Sequence, residues 1–221
     1  MAASVADRSA GPTVAAVDIG GTKLAVAVVA PDGEVLVEGR APTHGIGADG
    51  LFAALGDLLE DTISASSIHP EAIGVGCGGP MSAGGESVSP LNIPQWRGFP
   101  LRARLAQRFE LPTFVDNDAK ALALGEGWLG AARGEDDYLA MVVSTGVGAG
   151  IVLDGRLLDG AHGNAGHLGH VIVEPLGRVC ACGARGCLEA EVSGTAIAAV
   201  TGAPAQDAPH AVRLRSGRLV G

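Results

Sequence analysis

Short apolar runs alternate with turn residues along the first half of the chain, and each run has the period of a strand or a helix. Three successive strands are predicted first, followed by helices and short buried strands in turn. The predicted elements, in chain order, are strands at Val14–Val17, Leu24–Val29 and Glu34–Arg40, a helix at Leu51–Ile63, a strand at Ile73–Gly76, a helix at Leu101–Phe109, a strand at Pro112–Val115 and a helix at Ala119–Leu129.

The resulting order, β-β-β-α-β-α-β-α, is that of the ribonuclease-H-like unit, which actin-type kinases carry twice. A second copy is predicted from strands at Leu139–Ser144 and Ala149–Leu153 and a helix at Ser193–Val200. Its third strand is expected around His170–Val173, after a long insertion. The remaining elements of this copy are missing before Gly221, so the pattern predicts an α/β, actin-like ATPase fold with two lobes, the second of them incomplete.

Three segments follow from this repeat. Residues 1–13 are expected to form a disordered leader, 14–118 the N-terminal lobe and 119–221 the C-terminal lobe with a zinc loop. The leader lacks the apolar core of a signal peptide and no apolar run reaches the length of a membrane span, which predicts a cytoplasmic protein without membrane contact. A net charge of −9 disfavours nucleic-acid binding, because a phosphate backbone requires a basic face.

Two glycine turns stand at equivalent places of the repeat. The first is Gly20-Gly21-Thr22-Lys23, just after Asp18, and the second contains Thr145, Gly146 and Gly148. Glycine lets the backbone approach phosphate oxygens, and the N–H groups of such turns form an anion-binding concavity. We interpret the pair as phosphate grips of an ATP site, with Asp18 placed to hold Mg²⁺ through water. The alternative is that each is an ordinary hairpin turn.

A polar pair, Asn117 and Asp118, ends a predicted strand and begins a helix. Phosphoryl transfer needs positioning, a metal and a residue that accepts the hydroxyl proton, and Asp118 is suited to be this base. Asn117 is placed to orient the same substrate through a hydrogen bond. The competing interpretation is that Asp118 is only a helix N-cap, which is a common role of aspartate.

Four soft ligands follow the spacing H-x9-C-x-C-x4-C, namely His170, Cys180, Cys182 and Cys187. Their number is that of a closed tetrahedral zinc site, which predicts a structural role for the metal. Chance clustering of cysteines is the alternative. Cys77 lies apart from them in an apolar strand and is expected to be a core thiol.

The chain resembles the ROK family of bacterial sugar kinases and related repressors from about Val14 to Gly221. The resemblance rests on Asp18–Lys23, Gly76–Pro80, Asn92, Asp116–Ala119, Ser144–Gly148 and Gly163–Glu189. It implies ATP-dependent phosphorylation of a hexose at the 6-hydroxyl, with glucose as the first expected substrate. It also implies Mg²⁺, a structural Zn²⁺ and a cytoplasmic homodimer.

The resemblance further implies a role for individual residues. Asp118 corresponds to the general base that deprotonates the sugar 6-hydroxyl. The implied hexose contacts are Gly79, Asn92, Asn117, His167, His170 and Glu189. The implied ATP contacts are Asp18, Gly20, Gly21, Thr22, Lys23, Thr145, Gly146 and Gly148.

The chain departs from the family pattern in two ways. His167 stands where the family usually has glutamate, and Gly166–His170 resembles a subset that includes N-acetylmannosamine kinases. An N-acetylmannosamine or N-acetylglucosamine kinase is therefore an alternative, with His167 as a plain loop histidine another. Family members also continue past Gly221, so an inactive sugar-binding remnant remains open. A transcription factor of the family would need a basic helix-turn-helix before Val14, and the thirteen residues there are expected to exclude it.

Overall fold

The computed structural model describes residues 11–43 and 47–221. Residues 1–10 of the predicted leader lie outside the described residues. The described chain divides into two compact units. Unit 1 comprises the residues up to Ala121 together with Ala161–Gly163, and unit 2 comprises Leu122–Gly160 and Asn164–Gly221.

Unit 1 is built around a five-stranded mixed sheet. Its strands are β1 (Val14–Ile19), β2 (Lys23–Val29), β3 (Val35–Pro42), β4 (Ala72–Cys77) and β5 (Thr113–Asn117). The sheet order is β3-β2-β1-β4-β5, with antiparallel pairing among the first three strands and parallel pairing of β1 with β4 and β4 with β5. Its helices are α1 (Ala48–Ser66), α2 (Leu101–Phe109) and α3 (Asp118–Trp128), the last of which continues into unit 2.

The core of unit 1 confirms the apolar periodicity of the sequence. Leu51, Leu55 and Leu59 recur on one face of α1 and are completely buried, and α1 packs against β2 and β3. Truncation of such a leucine to alanine typically costs about 2–5 kcal/mol. The β-β-β-α-β-α-β-α order is therefore present as predicted, with element bounds that differ by only a few residues.

Unit 2 begins with a smaller repeat of the same sheet. Its strands are β6 (Tyr138–Val143), β7 (Val147–Leu153) and β8 (Arg156–Leu157), paired antiparallel in the order β6-β7-β8. Its helices are α4 (Leu188–Val192), α5 (Gly194–Thr201) and α6 (His210–Val220). The order β8-β7-β6 thus matches β3-β2-β1 of unit 1, as the repeat predicted.

The third strand of this copy is not where the sequence analysis put it. The expectation of a strand around His170–Val173 is wrong, because Leu168–His170 forms a 3-10 turn and the third strand is β8. The apolar residues that suggested a strand, Val171 and Ile172, are 52% and 56% exposed. The chain reaches β8 directly through the tight turn at Asp154-Gly155, where both residues have positive φ, 51° and 70°.

The core of unit 2 is small. Val147, Leu188 and Val192 are buried, and partly buried Met141 and Val173 pack against them. None of the helices within residues 11–43 and 47–221 is long and apolar enough to cross a membrane.

Candidate active site and metal cluster

The candidate functional residues of unit 1 lie at the carboxyl ends of its parallel strands. Asp18 is the penultimate residue of β1, Asn117 is the last residue of β5, and Gly79 lies two residues after β4. Cys77 of β4 is in register with Ile19 on one side and with Asn117 on the other. Motifs that are far apart in the sequence are therefore brought to one edge of the sheet.

Asp118 is the first residue of α3, and it is exposed. The Ala119 N–H donates to Asp118 Oδ1 at 2.8 Å and to Asn117 Oδ1 at 3.0 Å. Asn117 therefore stands at the N-cap position and shares the capping of this amide. Because a neighbour also caps the helix, Asp118 keeps an exposed carboxylate that is suited to accept a proton.

The charge of Asp118 acts on the carboxyl group of Asp18. Partial burial and the negative charge of Asp118 raise the pKa of Asp18, and the positive charge of Lys23 opposes this rise. Cys77 is fully buried, as predicted for a core thiol; burial and the charges of both aspartates raise its pKa to about 12. A divalent cation held by Asp18 would relieve the repulsion between the two carboxylates.

The first glycine turn is held from both sides. The Gly20 N–H donates to Lys23 O at 3.0 Å and closes the turn. Thr43 donates its N–H to Thr22 O at 3.1 Å and its hydroxyl to Gly20 O at 2.8 Å. With these carbonyls anchored to Thr43, the turn has a defined backbone conformation, which an anion-binding turn requires.

Asn92 lies directly against this turn. A Cβ added at Gly21 would be only 2.5 Å from Asn92 Cβ, so a side chain there would displace Asn92. The Leu91 N–H donates to Gly79 O at 3.2 Å, which links the loop that carries Asn92 to Gly79, another predicted hexose contact. The Arg97 guanidinium, which the sequence analysis did not single out, braces the loop through three of its carbonyls, those of Pro90 at 2.9 Å, Ile93 at 3.0 Å and Trp96 at 2.7 Å.

Lys120 is a buried cation that the sequence analysis also missed. Its side chain is 2% exposed, and Nζ lies 3.0 Å from Gly163 O and 3.5 Å from Asp116 Oδ1. The same Asp116 oxygen accepts the Asn117 N–H at 2.7 Å. Lys120 therefore helps to fix the backbone just before Asp118. A lysine within the apolar helix sequence is the signal that could have found it.

The second glycine turn, in unit 2, is also a three-residue connection between antiparallel strands. The Ser144 N–H donates to Gly146 O at 2.9 Å across the turn. The start of α5 holds it from the other side, because the Gly194 N–H donates to Ser144 O at 2.7 Å and the Thr195 hydroxyl donates to Thr145 O at 2.8 Å. A threonine hydroxyl thus anchors a carbonyl in each of the two turns.

Glu189 is bonded to the second turn. Its Oε2 accepts the Val147 N–H at 2.9 Å, and a Cβ at Gly146 would lie 2.7 Å from the same oxygen. Gly148 lies one residue further, in β7, in register with Val142. The hexose contact expected of Glu189 stays a prediction. Its bond to the turn is a finding that sequence spacing could not indicate.

The four predicted metal ligands form one cluster in unit 2. The ligand atoms of His170, Cys180, Cys182 and Cys187 all lie within 4.8 Å of one another. Cys182 Sγ and Cys187 Sγ are 3.7 Å apart, as are Cys180 Sγ and His170 Nδ1. With Zn–S bonds of about 2.3 Å, ligand sulfurs at the corners of a tetrahedron are separated by roughly 3.8 Å. The donor set and its spacing therefore fit Zn²⁺.

The thiols of the cluster differ in how easily they lose a proton. Hydrogen bonds from the Ala184 backbone and the neighbouring thiols lower the pKa of Cys182. Burial, together with the neighbouring thiols, raises the pKa of Cys187 to about 12. Zn²⁺ would bind both as thiolates and displace the proton of Cys187, since its charge offsets the cost of a buried thiolate. His167 lies beside the cluster, with its ring centroid 6.5 Å from that of His170.

Comparison with known proteins places this geometry in a family. The ROK family model matches residues 14–215. A glucokinase from Thermotoga maritima is 43% identical over 185 residues, which are 82% of this chain and 57% of the relative. An N-acetylmannosamine kinase from Escherichia coli is 40% identical over 191 residues, which are 85% of this chain and 63% of the relative. The chain thus spans about three fifths of the length of these relatives.

A solved structure with a similar fold is a ROK family glucokinase from Streptomyces griseus in complex with glucose and AMPPNP. It is 36% identical, with a TM-score of 0.75, and the match covers 86% of this chain and 59% of that one. The predicted actin-like ATPase fold is confirmed by this likeness. The chain therefore belongs to the ROK family.

Proposed function

We propose that the chain carries the hexose-binding and phosphoryl-transfer residues of an ATP-dependent sugar kinase that acts at the 6-hydroxyl. The observation that carries this proposal is the position of Asp118, exposed at the start of α3. It shares a unit and a sheet edge with the first glycine turn and with Asp18. Phosphoryl transfer relies on positioning, a metal and a proton acceptor, and unit 1 offers candidates for each.

Asp118 accepts the proton of the sugar 6-hydroxyl as the hydroxyl oxygen attacks the γ-phosphorus of ATP. The bond from this phosphorus to the β–γ bridging oxygen breaks, and ADP leaves. Asn117, which stands next to it, orients the sugar by a hydrogen bond. The other proposed hexose contacts are Gly79 and Asn92 in unit 1 and His167, His170 and Glu189 in unit 2. The bracing of Asn92 by the turn and by Arg97 supports its role, because a positioned side chain loses little freedom on binding.

The two glycine turns are the proposed phosphate grips, formed by Asp18–Lys23 and by Thr145, Gly146 and Gly148. ATP as the phosphoryl donor is supported by the AMPPNP complex of the Streptomyces griseus relative. Mg²⁺ is the proposed metal at Asp18, whose pKa is raised by partial burial and by the charge of Asp118. Such a carboxylate gains from a bound cation.

Zn²⁺ is the proposed ion of the Cys-His cluster. Its four protein ligands leave no open position, so it fixes the loop and takes no part in the transfer step. His170 is a proposed zinc ligand and a proposed hexose contact at once. Loss of the metal should therefore damage sugar binding.

Glucose is the first candidate substrate, supported by the glucokinase of Thermotoga maritima and by the glucose complex from Streptomyces griseus. N-acetylmannosamine is the second, favoured by the relative from Escherichia coli and by His167. A neutral imidazole has one acceptor nitrogen where a glutamate would offer two oxygens, so His167 alters recognition of sugar hydroxyls.

The test is a coupled assay of ADP release with glucose, mannose, fructose, N-acetylglucosamine and N-acetylmannosamine. We expect turnover with glucose or with an N-acetyl hexosamine, and the ranking of kcat/KM decides between the two candidates. Sugar binding by calorimetry is measured in parallel. Binding without turnover on any sugar would refute the kinase activity and support a sugar-binding remnant.

Gly21→Ala is predicted to weaken sugar binding. The added Cβ would meet Asn92 Cβ at 2.5 Å and push this side chain away from its position. Loss of one good hydrogen bond to the sugar, about 1.4 kcal/mol, corresponds to a tenfold higher Kd by calorimetry. Gly125→Ala is the matched control, because a Cβ there meets nothing within 4 Å. Equal affinities of both variants and the parent would contradict the role of Asn92.

A further inference from the structure

Glu191 is a buried charge in unit 2 that none of the proposed catalytic steps uses. Its side chain is 1% exposed. It sits on α4, where Oε2 pairs with Arg215 at 2.8 Å and with Arg178 at 3.3 Å. Burial alone would raise the pKa of Glu191, but bonds from Arg178 and Arg215 leave it lowered. A buried carboxylate is costly unless it is paired, so this arrangement holds Arg178 firmly in place.

Arg178 lies at the base of the hairpin that carries two of the metal ligands. Its backbone N–H donates to Glu191 Oε1 at 2.6 Å, and its carbonyl accepts the Gly186 N–H at 2.7 Å. Above this base, the Cys180 N–H donates to Ala184 O at 2.8 Å. The hairpin that contains Cys180 and Cys182 is thus closed by backbone bonds and attached through Arg178 to Glu191.

The remaining cysteine ligand lies on the same helix as Glu191. Cys187 is the N-cap residue of α4, and Glu191 lies one turn further along. The helix therefore carries one thiol directly and positions two others through the hairpin base. A Cβ at Gly177 would clash with Glu191 Oε1, so the chain just before Arg178 also lies tight against this carboxylate.

We propose that Glu191 is a positioning residue for the metal cluster, which holds the Cys180–Cys182 hairpin at its ligand-binding distance from Cys187. The inference rests on the zinc-binding part of the proposed function and extends it to a residue outside the ligand set. Residues that orient metal ligands commonly contribute 10–100-fold to metal affinity. The hairpin is already closed by its backbone bonds before zinc binds, so metal binding costs less conformational entropy.

The experiment measures the zinc Kd of the full chain by competition with a chromophoric chelator. Glu191→Gln keeps the size of the side chain but loses the charge that holds the arginines, and we expect a Kd about 10–100-fold higher. Glu189→Gln is the matched control, with the same change on the same helix but a partner in the second glycine turn. Its zinc Kd should stay within about threefold of the parent value.

An unchanged Kd for a Glu191→Gln variant with parental circular dichroism would overturn the proposal, as would equal weakening by both substitutions. A parent chain that binds no zinc would refute the metal site itself. A parent chain that binds zinc but phosphorylates no sugar would refute the kinase activity and not the role of Glu191. If the Glu191→Gln variant fails to fold, hydrogen exchange of the parent chain tests the proposal instead. After zinc removal, the amides of Cys180 and Gly186 should stay protected, and exchange at the rate of an open loop would contradict a preassembled hairpin.

Discussion

Asp118→Asn is expected to lower kcat for sugar phosphorylation by about 10²–10⁴-fold, the usual contribution of a general base. Asparagine keeps the shape and the oxygen that accepts the Ala119 N–H, but it cannot take up the proton of the hydroxyl. Asn117, which stands at the N-cap position, is unchanged, so the start of α3 should remain intact. The measurement is kcat in the coupled assay, with the sugar Kd and the melting temperature determined alongside.

This substitution separates the two interpretations of Asp118. If the carboxylate is the base, turnover falls while sugar affinity and melting temperature stay near their parental values. Asn117→Ala is the contrasting variant, because it removes the other oxygen that caps Ala119 and a proposed sugar contact. It should raise the sugar Kd and lower stability by about 1 kcal/mol. A stable Asp118→Asn chain with parental kcat would leave only the N-cap role.

Unit 1 could be predicted almost completely from the sequence, because each of its elements has its own local signal. Val14–Val17 and Leu24–Val29 show strand patterns on either side of a glycine turn, and Leu51–Ile63 has helical spacing. The parallel edge follows from topology alone, since strands joined through helices end on the same side. The position of Asp18 and Asp118 at one edge of the sheet could therefore be predicted, although the two residues lie 100 positions apart in the sequence.

Unit 2 was harder, because its insertion is shaped by long-range contacts. The run from His170 to Val173 has the composition of a strand, yet this stretch connects a 3-10 turn to the metal cluster. The true third strand, Arg156–Leu157, is too short to show a pattern. Local periodicity carries no information on where distant ligands will meet, whereas the ligand types and their number did predict the cluster itself.

The burial of charged residues was not predicted from the sequence. Glu191 meets Arg178 and Arg215 from 13 and 24 residues away, and Lys120 reaches Gly163 from 43 residues away. In the sequence Glu191 looks like an ordinary surface charge, which is what most charged residues are, and only the apolar residues that follow Lys120 distinguish that lysine. Burial of a charge depends on whether the fold brings a partner to it, and this is decided by tertiary structure.

Cys187→Ser is expected to abolish stoichiometric zinc binding. The parent chain should contain one zinc per chain by atomic emission, because the four ligand atoms lie within 4.8 Å of one another. Serine is a far weaker zinc ligand than thiolate, so the zinc Kd should rise more than 100-fold, beyond the range seen for residues that only orient ligands. Binding of a structural zinc is coupled to folding, so the melting temperature should fall too.

Cys77→Ala is the matched control, since Cys77 is equally buried but lies in unit 1 outside the cluster. It should retain one zinc, and a folded Cys187→Ser chain that does the same would exclude this thiol as a ligand.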